Sequence, residues 1–338
     1  MEQDSRIWDT LLDLVHKKRN IFLLGPGGFG KSHTIRRLSI FLAESNWLVA
    51  STALTGIAAI NNSVTDTDNP IYGTTLHRWS GIGNKFNLER SEIVRLVASN
   101  KDARTNWLLT DILIIDEVSM MGKDLLETVD AIGRKIRESN EPFGGLQVIF
   151  SGDFLQLPPV KEDWVFKSSV FEKLDLAPVL FSKPMRYTDE AYVQLLLRMR
   201  EGYTTAEDHE FLQSRVKAYE DYITAKDSTS ILTVQPTRLY STRKDVNEYN
   251  ICELKKLKTQ SFNCIATDVV LMKRGAGKRD EEYLLKSLDD LIPAEIELKV
   301  GAQVMLRTNN WISEGYGNGS RGRYSNRVFE IWQYDARQ

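Results

Sequence analysis

The sequence has only two cysteines, Cys252 and Cys264, and they form no CxxC spacing. That excludes a disulfide scaffold and points to reduced thiols inside the cell. Four histidines, His16, His33, His77 and His209, are scattered along the chain, so no structural His/Cys metal site is expected. No apolar run approaches the roughly 20 residues that span a bilayer. The first six residues are polar, with neither a secretory core nor an Arg- and Ser-rich transit pattern, so an intracellular protein without a membrane segment is expected. Glycine (21) and proline (9) are too few among 338 residues for a collagen-like or low-complexity chain. An excess of one charge is also missing, since 44 Lys and Arg against 46 Asp and Glu give a net charge of −2. A protein that coats nucleic acid through a general basic surface is thereby excluded, and any such contact must come from a local groove.

What is present is apolar material for a sizeable core, 42% of the chain, at a length that favours two domains. Short apolar runs end abruptly in polar or glycine-rich residues. Residues 21–24 run into Gly25, 47–50 into Ser51-Thr52, 112–115 into Asp116-Glu117, and 148–150 into Ser151-Gly152-Asp153. Between them, Ile35, Leu38, Phe41 and Leu42, and then Leu125, Val129, Ile132 and Ile136, recur at helical spacing. This alternation predicts an α/β fold with a parallel sheet covered by helices on both faces. In such sheets ligands bind at the carboxyl ends of the strands, where these runs place their glycines, hydroxyls and carboxylates. Residues 61–69 read as an exposed polar loop and about 80–107 as a small helical insertion. The alternation of Ile296, Leu298 and Val300 predicts a strand, and the stretch 315–338 shows no period.

The run Gly25-Pro26-Gly27-Gly28-Phe29-Gly30-Lys31-Ser32 fits G-x-x-x-x-G-K-[ST], with a strand before it and a helix after. Its glycines let backbone N–H groups curl around phosphates, and the helix presents its positive end to them. Gly25, Gly27, Gly28, Gly30, Lys31, Ser32 and His33 are the expected nucleotide-binding set, with Lys31 on the β- and γ-phosphates. Ser32 is the expected Mg²⁺ ligand. Asp116 is expected to hold the same ion through water, and Glu117 to act as general base. Asp153 and Gln156 end the next strand, where a polar side chain could report the γ-phosphate state. No NKxD sequence, no ABC signature and no small-molecule kinase lid occurs. An ATPase that couples hydrolysis to movement remains, with ATP and Mg²⁺ as cofactors.

The segment 116–160, DEVSMMGKDLLETVDAIGRKIRESNEPFGGLQVIFSGDFLQLPPV, resembles the signature region of the petite-integration-frequency family of DNA helicases. These are 5′-to-3′ enzymes of superfamily 1B. GPGGFGKS, TALTGIAA (52–59), GTTLHRWSGIG (73–83) and PMRYTDEAYVQLLLRMREG resemble successive family motifs. PTRLYSTRKDVNEYN, LKVGAQVMLRTNN and NGSRG resemble those of a second domain, up to Gly322. The resemblance implies a P-loop NTPase with a first RecA-like domain over 1–185, a helical connector over 186–230 and a partial second RecA-like domain over 231–338. It implies an ATP site of Lys31, Ser32, Asp116, Glu117 and Gln156, with Arg186 as an arginine finger. It further implies a track for single-stranded DNA phosphates along Thr52, Thr55, Thr75 and His77, continued by Thr237 and Arg238. Hydroxyls, backbone N–H groups and one imidazole can hold phosphates without reading bases, which suits a motor that must release and step. Trp79 is read as a buried aromatic in preference to a base-stacking one.

The implied partners are single-stranded DNA and duplex junctions, and the implied setting is DNA repair, recombination or telomere maintenance in the nucleus. Ile7-Trp8-Asp9 stand where the family carries an adenine-contacting glutamine, and Tyr187 follows Arg186 where a glutamine is usual. Later motifs of QG-T and ALSR type, the second bearing another arginine finger, do not appear. Weak hydrolysis and unwinding by this chain are therefore expected. The competing reading is a remnant that binds ATP and nucleic acid without turnover.

Overall fold

Strands buried on both faces need apolar side chains, and the runs at 21–24, 112–115 and 148–150 supply them. The computed structural model describes residues 2–65, 70–83, 85, 88–225, 238–267, 294–307, 314, 316, 319–325 and 328–331. The chain divides into two units, Met1–Arg215 with Asn310–Tyr316, and Val216–Asn309 with Gly317–Gln338.

The first unit runs α1 (Glu2–His16), β1 (Ile21–Leu24), α2 (Lys31–Glu44), β2 (Val49–Ala53), α3 (Gly56–Asn61), β3 (Thr74–Thr75) and α4 (Leu76–Ser80). It continues with α5 (Arg90–Ala98), α6 (Lys101–Leu109), β4 (Ile112–Asp116), α7 (Lys123–Arg137), β5 (Gln147–Gly152), α8 (Ser169–Lys173), β6 (Ala177–Leu180) and α9 (Glu190–Glu201). Its sheet has six strands in the order β3-β2-β4-β5-β1-β6, and every pairing is parallel. Side chains alternate between faces along a strand, and the core divides accordingly. Ile21, Leu23, Ile112, Ile114 and Ile149 pack with Leu11 and Val15 of α1 and with Ile35, Leu38 and Leu42 of α2. Phe22, Leu113, Ile115, Val148 and Phe150 face the other way, onto Val129, Ile132 and Ile136 of α7 and Trp107 of α6. Each such side chain contributes about 1.5–3 kcal/mol when fully buried, which fixes the register and so the relative heights of the strand ends. Trp79 lies in this second core with its ring centroid 4.6 Å from that of Trp107, as a packing residue.

After α10 (Ala206–Ala225) and α11 (Arg243–Lys256), the described strands of the second unit are antiparallel. The alternating segment forms β8 (Glu295–Lys299), paired with β7 (Ser261–Ile265). β9 (Gln303–Met305), β10 (Arg321–Ser325) and β11 (Val328–Ile331) form a second small sheet. Strand structure in a segment without period arises because the ladder needs only backbone groups, while one buried side chain, Tyr324 against Phe262, anchors it. The apolar run at 231–234, whose composition reads as a strand, lies outside the described residues. No described helix is long and apolar enough to cross a membrane.

Candidate active site

Between β1 and α2, Gly28 (φ 82°) and Gly30 (φ 96°) hold left-handed backbone that a side chain would strain. Both are also crowded. A Cβ on Gly28 would stand 3.1 Å from the Cβ of Arg186, and one on Gly30 would collide with the sulfur of Met185. The backbone N–H groups of Met185 and Arg186 donate to the Gly28 carbonyl at 2.9 and 3.0 Å, so the strap bearing Arg186 is fastened to the glycine loop. α2 carries no acidic side chain in its first turn, which leaves its positive end open to an anion. Lys31 is 9% exposed and donates through Nζ to the carbonyls of Gly25 (2.6 Å) and Pro26 (3.0 Å). Burial holds its ammonium below the ordinary lysine pKa, opposed by the charges of Asp116, Asp153 and Glu117.

The parallel sheet brings β4 to the same edge, two places from β1. Asp116 is buried there, and its Oδ2 accepts from Ser32 Oγ at 3.3 Å and from Asn62 Nδ2 at 2.9 Å. Its Oδ1 accepts from the Glu117 backbone N–H at 3.0 Å. Glu117 itself sits at φ 59°, ψ 40°, a left-handed conformation that costs about 1–3 kcal/mol in a residue with a side chain and clusters at working sites. Burial and then the Asp116 charge raise its carboxyl pKa, against the pull of Lys31 and Arg186. A hydroxyl and a carboxylate facing a glycine cradle are the hard oxygen donors that suit Mg²⁺ on a nucleotide. His33 is exposed on α2. Among the described residues, no group of three or more His, Cys, Asp or Glu could hold a metal ion.

At the end of β5, Asp153 is bound to Arg200 of α9 in a two-pronged pair, Nε to Oδ2 and a terminal nitrogen to Oδ1, both at 2.7 Å. The Asp153 side chain is 1% exposed. The same carboxylate accepts from the Leu155 N–H, and the Asp153 carbonyl accepts from the Gln156 N–H at 2.9 Å, so the pair anchors the turn that carries Gln156. Gln156 is exposed, and its Nε2 stands 3.1 Å from where a Cβ on Gly27 would lie. Asp153 is thus committed to an ion pair, leaving Gln156 as the polar side chain facing the loop. Arg200→Ala would strand a buried carboxylate, and we expect a loss of about 3–5 kcal/mol in a denaturant unfolding experiment. A loss within error of zero would mean that Asp153 finds water instead.

The proposed DNA track is only partly assembled. Thr52 is fully buried in β2 and its hydroxyl donates to the Ile114 carbonyl at 2.6 Å, so it cannot touch a DNA phosphate. The physical reason is that β2 lies between β3 and β4 and is covered on both faces, so Ser51, Thr52 and Ala53 are all buried. Thr55 caps α3 by accepting from the Ala58 N–H at 3.3 Å and remains half-buried. Thr75 is half-buried in β3, on the strand beside β2, and opens α4. His77 follows on α4, where burial lowers its pKa below the usual histidine value. Arg238 belongs to the second unit and is exposed, its guanidinium carbon 5.1 Å from the Tyr249 ring centroid. Thr237 lies outside the described residues.

Two site residues carry no sequence signal of their own. Arg200 is one of several arginines on an amphipathic helix. Asn62 falls in the stretch read as an exposed loop, yet it is fully buried at the end of α3 and bonded to Asp116. Only its position one helical turn beyond the TGIAA segment could have pointed to it.

A family profile described as PIF1-like helicase matches residues 1–210. The ATP-dependent DNA helicase RRM3 of Saccharomyces cerevisiae is 33% identical over 93% of this chain and 41% of its own length. The chain thus spans about two fifths of that curated relative. The crystal structure of Pif1 helicase from Candida albicans superposes with a TM-score of 0.74 at 27% identity, covering 95% of this chain and 68% of that one. A crystal structure of Bacteroides Pif1 bound to ssDNA gives a TM-score of 0.63 at 25% identity, covering 96% of this chain and 70% of that one.

Proposed function

We propose that this chain, which belongs to the PIF1-like helicase family, hydrolyses Mg·ATP to drive 5′-to-3′ movement on single-stranded DNA and the opening of duplex junctions. The observation that carries this reading is the convergence of Lys31, Ser32, Asp116 and Glu117 at one sheet edge, with the Ser32 hydroxyl 3.3 Å from the Asp116 carboxylate. In this reading the glycine loop and the first turn of α2 bind the phosphates, and Lys31 moves its ammonium from the loop carbonyls to their oxygens. Ser32, and Asp116 through water, would hold Mg²⁺, which would neutralise charge on the phosphates. Glu117 accepts the proton of the attacking water. Gln156, held by the Asp153–Arg200 pair, orients that water, and Arg186 meets the charge that develops on the transferred phosphoryl group.

The similarity to an ATP-dependent DNA helicase and to a helicase bound to ssDNA supports DNA as the track. Thr55, Thr75 and His77 are the residues of the first unit that we assign to it, with Thr237 and Arg238 of the second. DNA repair, recombination or telomere maintenance in the nucleus rests on the family resemblance alone. A first RecA-like domain over 1–185, a helical connector over 186–230 and a partial second RecA-like domain over 231–338 belong to the same proposal.

The test is steady-state ATP hydrolysis by this chain with and without single-stranded DNA, across a salt series. We expect hydrolysis that DNA stimulates, with stimulation falling as salt rises because phosphate contacts release counterions. Nucleotide binding without any DNA-stimulated turnover would overturn the motor reading in favour of a binding module.

A further inference from the structure

Asn62 presents an anomaly that the mechanism so far leaves unused. Its side chain is fully buried, its Nδ2 donates to Asp116 Oδ2 at 2.9 Å, and its Oδ1 has no hydrogen-bond partner. The neighbouring carboxylate fixes which way the amide faces, because a carboxylate can only accept. The oxygen of the same amide is thereby left buried without a donor. A buried polar atom without a partner costs about 1–3 kcal/mol, and such an atom beside a metal carboxylate calls for a ligand-bound donor. α3 is short and its two ends are tied. Thr55 caps the first turn, and the Asn62 backbone N–H bonds back to the carbonyls of Ala58 and Ala59 at 3.1 and 3.2 Å. The side chain is therefore delivered to Asp116 from a fixed backbone.

We propose that Asn62 is a positioning residue for the metal site: its Nδ2 holds the Asp116 carboxylate in place, and its Oδ1 accepts a hydrogen bond from a water of the Mg²⁺ hydration shell. This rests on the nucleotide reading of the site and deepens it. Mg²⁺ keeps several of its waters, and outer partners of such a site typically contribute 10–100-fold in metal affinity. A buried amide that offers one donor to the carboxylate and one acceptor to a water supplies both halves of such support.

The experiment is equilibrium binding of a fluorescent ADP to the full chain, in excess Mg²⁺ and in EDTA, for the wild type, Asn62→Ala and Asn62→Ser. Mn²⁺ affinity of the ADP-bound chain, read by the loss of the free-ion EPR signal, is measured in parallel. We expect both variants to keep the wild-type affinity in EDTA, and Asn62→Ala to lose about tenfold or more of the Mg²⁺-dependent gain and of the Mn²⁺ affinity. Asn62→Ser keeps a small donor and acceptor and is expected to lose less. The metal-free affinity is the folding control. An unchanged metal-dependent gain in Asn62→Ala overturns the inference. So does an equal loss with and without metal in both variants, which would make Asn62 a purely structural residue. A wild-type chain that binds no nucleotide overturns the phosphate-loop reading first, and this inference falls with it.

Discussion

Lys31→Ala is expected to abolish nucleotide binding and with it all turnover. Lys31 is the one side chain of the glycine loop that brings positive charge to the phosphates, and three carboxylates surround it. Asp116, Asp153 and Glu117 all act on its ammonium. Of the arginines nearby, Arg200 is already bound to Asp153. Deleting the ammonium leaves Asp116 and Glu117 facing a polyphosphate with Arg186 as the remaining cation of the strap. Hydrogen bonds to charged groups are worth about 1.5–3 kcal/mol, which is about one to two decades of affinity per contact. The added repulsion from two carboxylates works in the same direction. For turnover, loss of one preorganised charge at the reacting centre costs about 10²–10³. Lys31→Arg is not expected to rescue, because a larger planar fork does not reproduce a compact ammonium at this buried position. Calorimetric titration with ATP and Mg²⁺, beside a thermal unfolding curve for each variant, checks this. An undiminished ATP affinity in a folded Lys31→Ala chain would remove the phosphate loop from its assigned role.

The parts of this architecture that could be read from the sequence share a physical property, which is that their signal is local. The runs at 21–24 and 112–115 read as buried strands because both faces are covered and every position is apolar. The glycine loop was legible because its backbone conformation forbids side chains at Gly28 and Gly30. Placing Asp116 next to Ser32 needed one further rule, that parallel strands end at a common edge. Contacts made by folding over distance were not legible. Arg200 meets Asp153 through a helix that returns to the sheet, and nothing in the spacing of either residue announces it. Asn62 sits in a polar stretch that reads as solvent-exposed, but one carboxylate at the end of β4 gives it a reason to be buried. Thr52 shows the opposite error. A motif places it close to a nucleic-acid track, yet β2 is covered on both faces, and the buried hydroxyl is spent on the Ile114 carbonyl. Among the described residues, the short strands of the second unit are joined by backbone pairing, by polar side-chain bonds such as Ser261 to Glu297, and by the aromatic contact of Phe262 with Tyr324, which leaves almost no periodic trace in the sequence.

Glu117→Gln is expected to trap the nucleotide, with turnover lost by about 10²–10⁴ while ATP affinity stays at or above the wild-type level. The amide keeps the shape and the left-handed backbone of Glu117 but cannot take a proton from water, and it removes a negative charge beside the phosphates. The pH dependence follows from the same environment. Burial and Asp116 raise the Glu117 pKa above its ordinary value, and a base works only when deprotonated. The acid limb of the wild-type pH–rate profile should therefore lie above the usual glutamate range and vanish in the background rate of Glu117→Gln. The sign for stability is the reverse of that for an ordinary ion-paired carboxylate. Between the unfolded and the raised folded pKa, the folded chain binds the extra proton, so stability falls as pH rises through that window. At neutral pH, Glu117→Gln relieves the burial of a charge and is expected to raise the unfolding temperature even as it stops hydrolysis. A single-turnover ATP hydrolysis assay and a thermal melt at two pH values measure both effects. Unchanged turnover would take the general-base role from Glu117 and leave Gln156 to orient a water that some other group deprotonates.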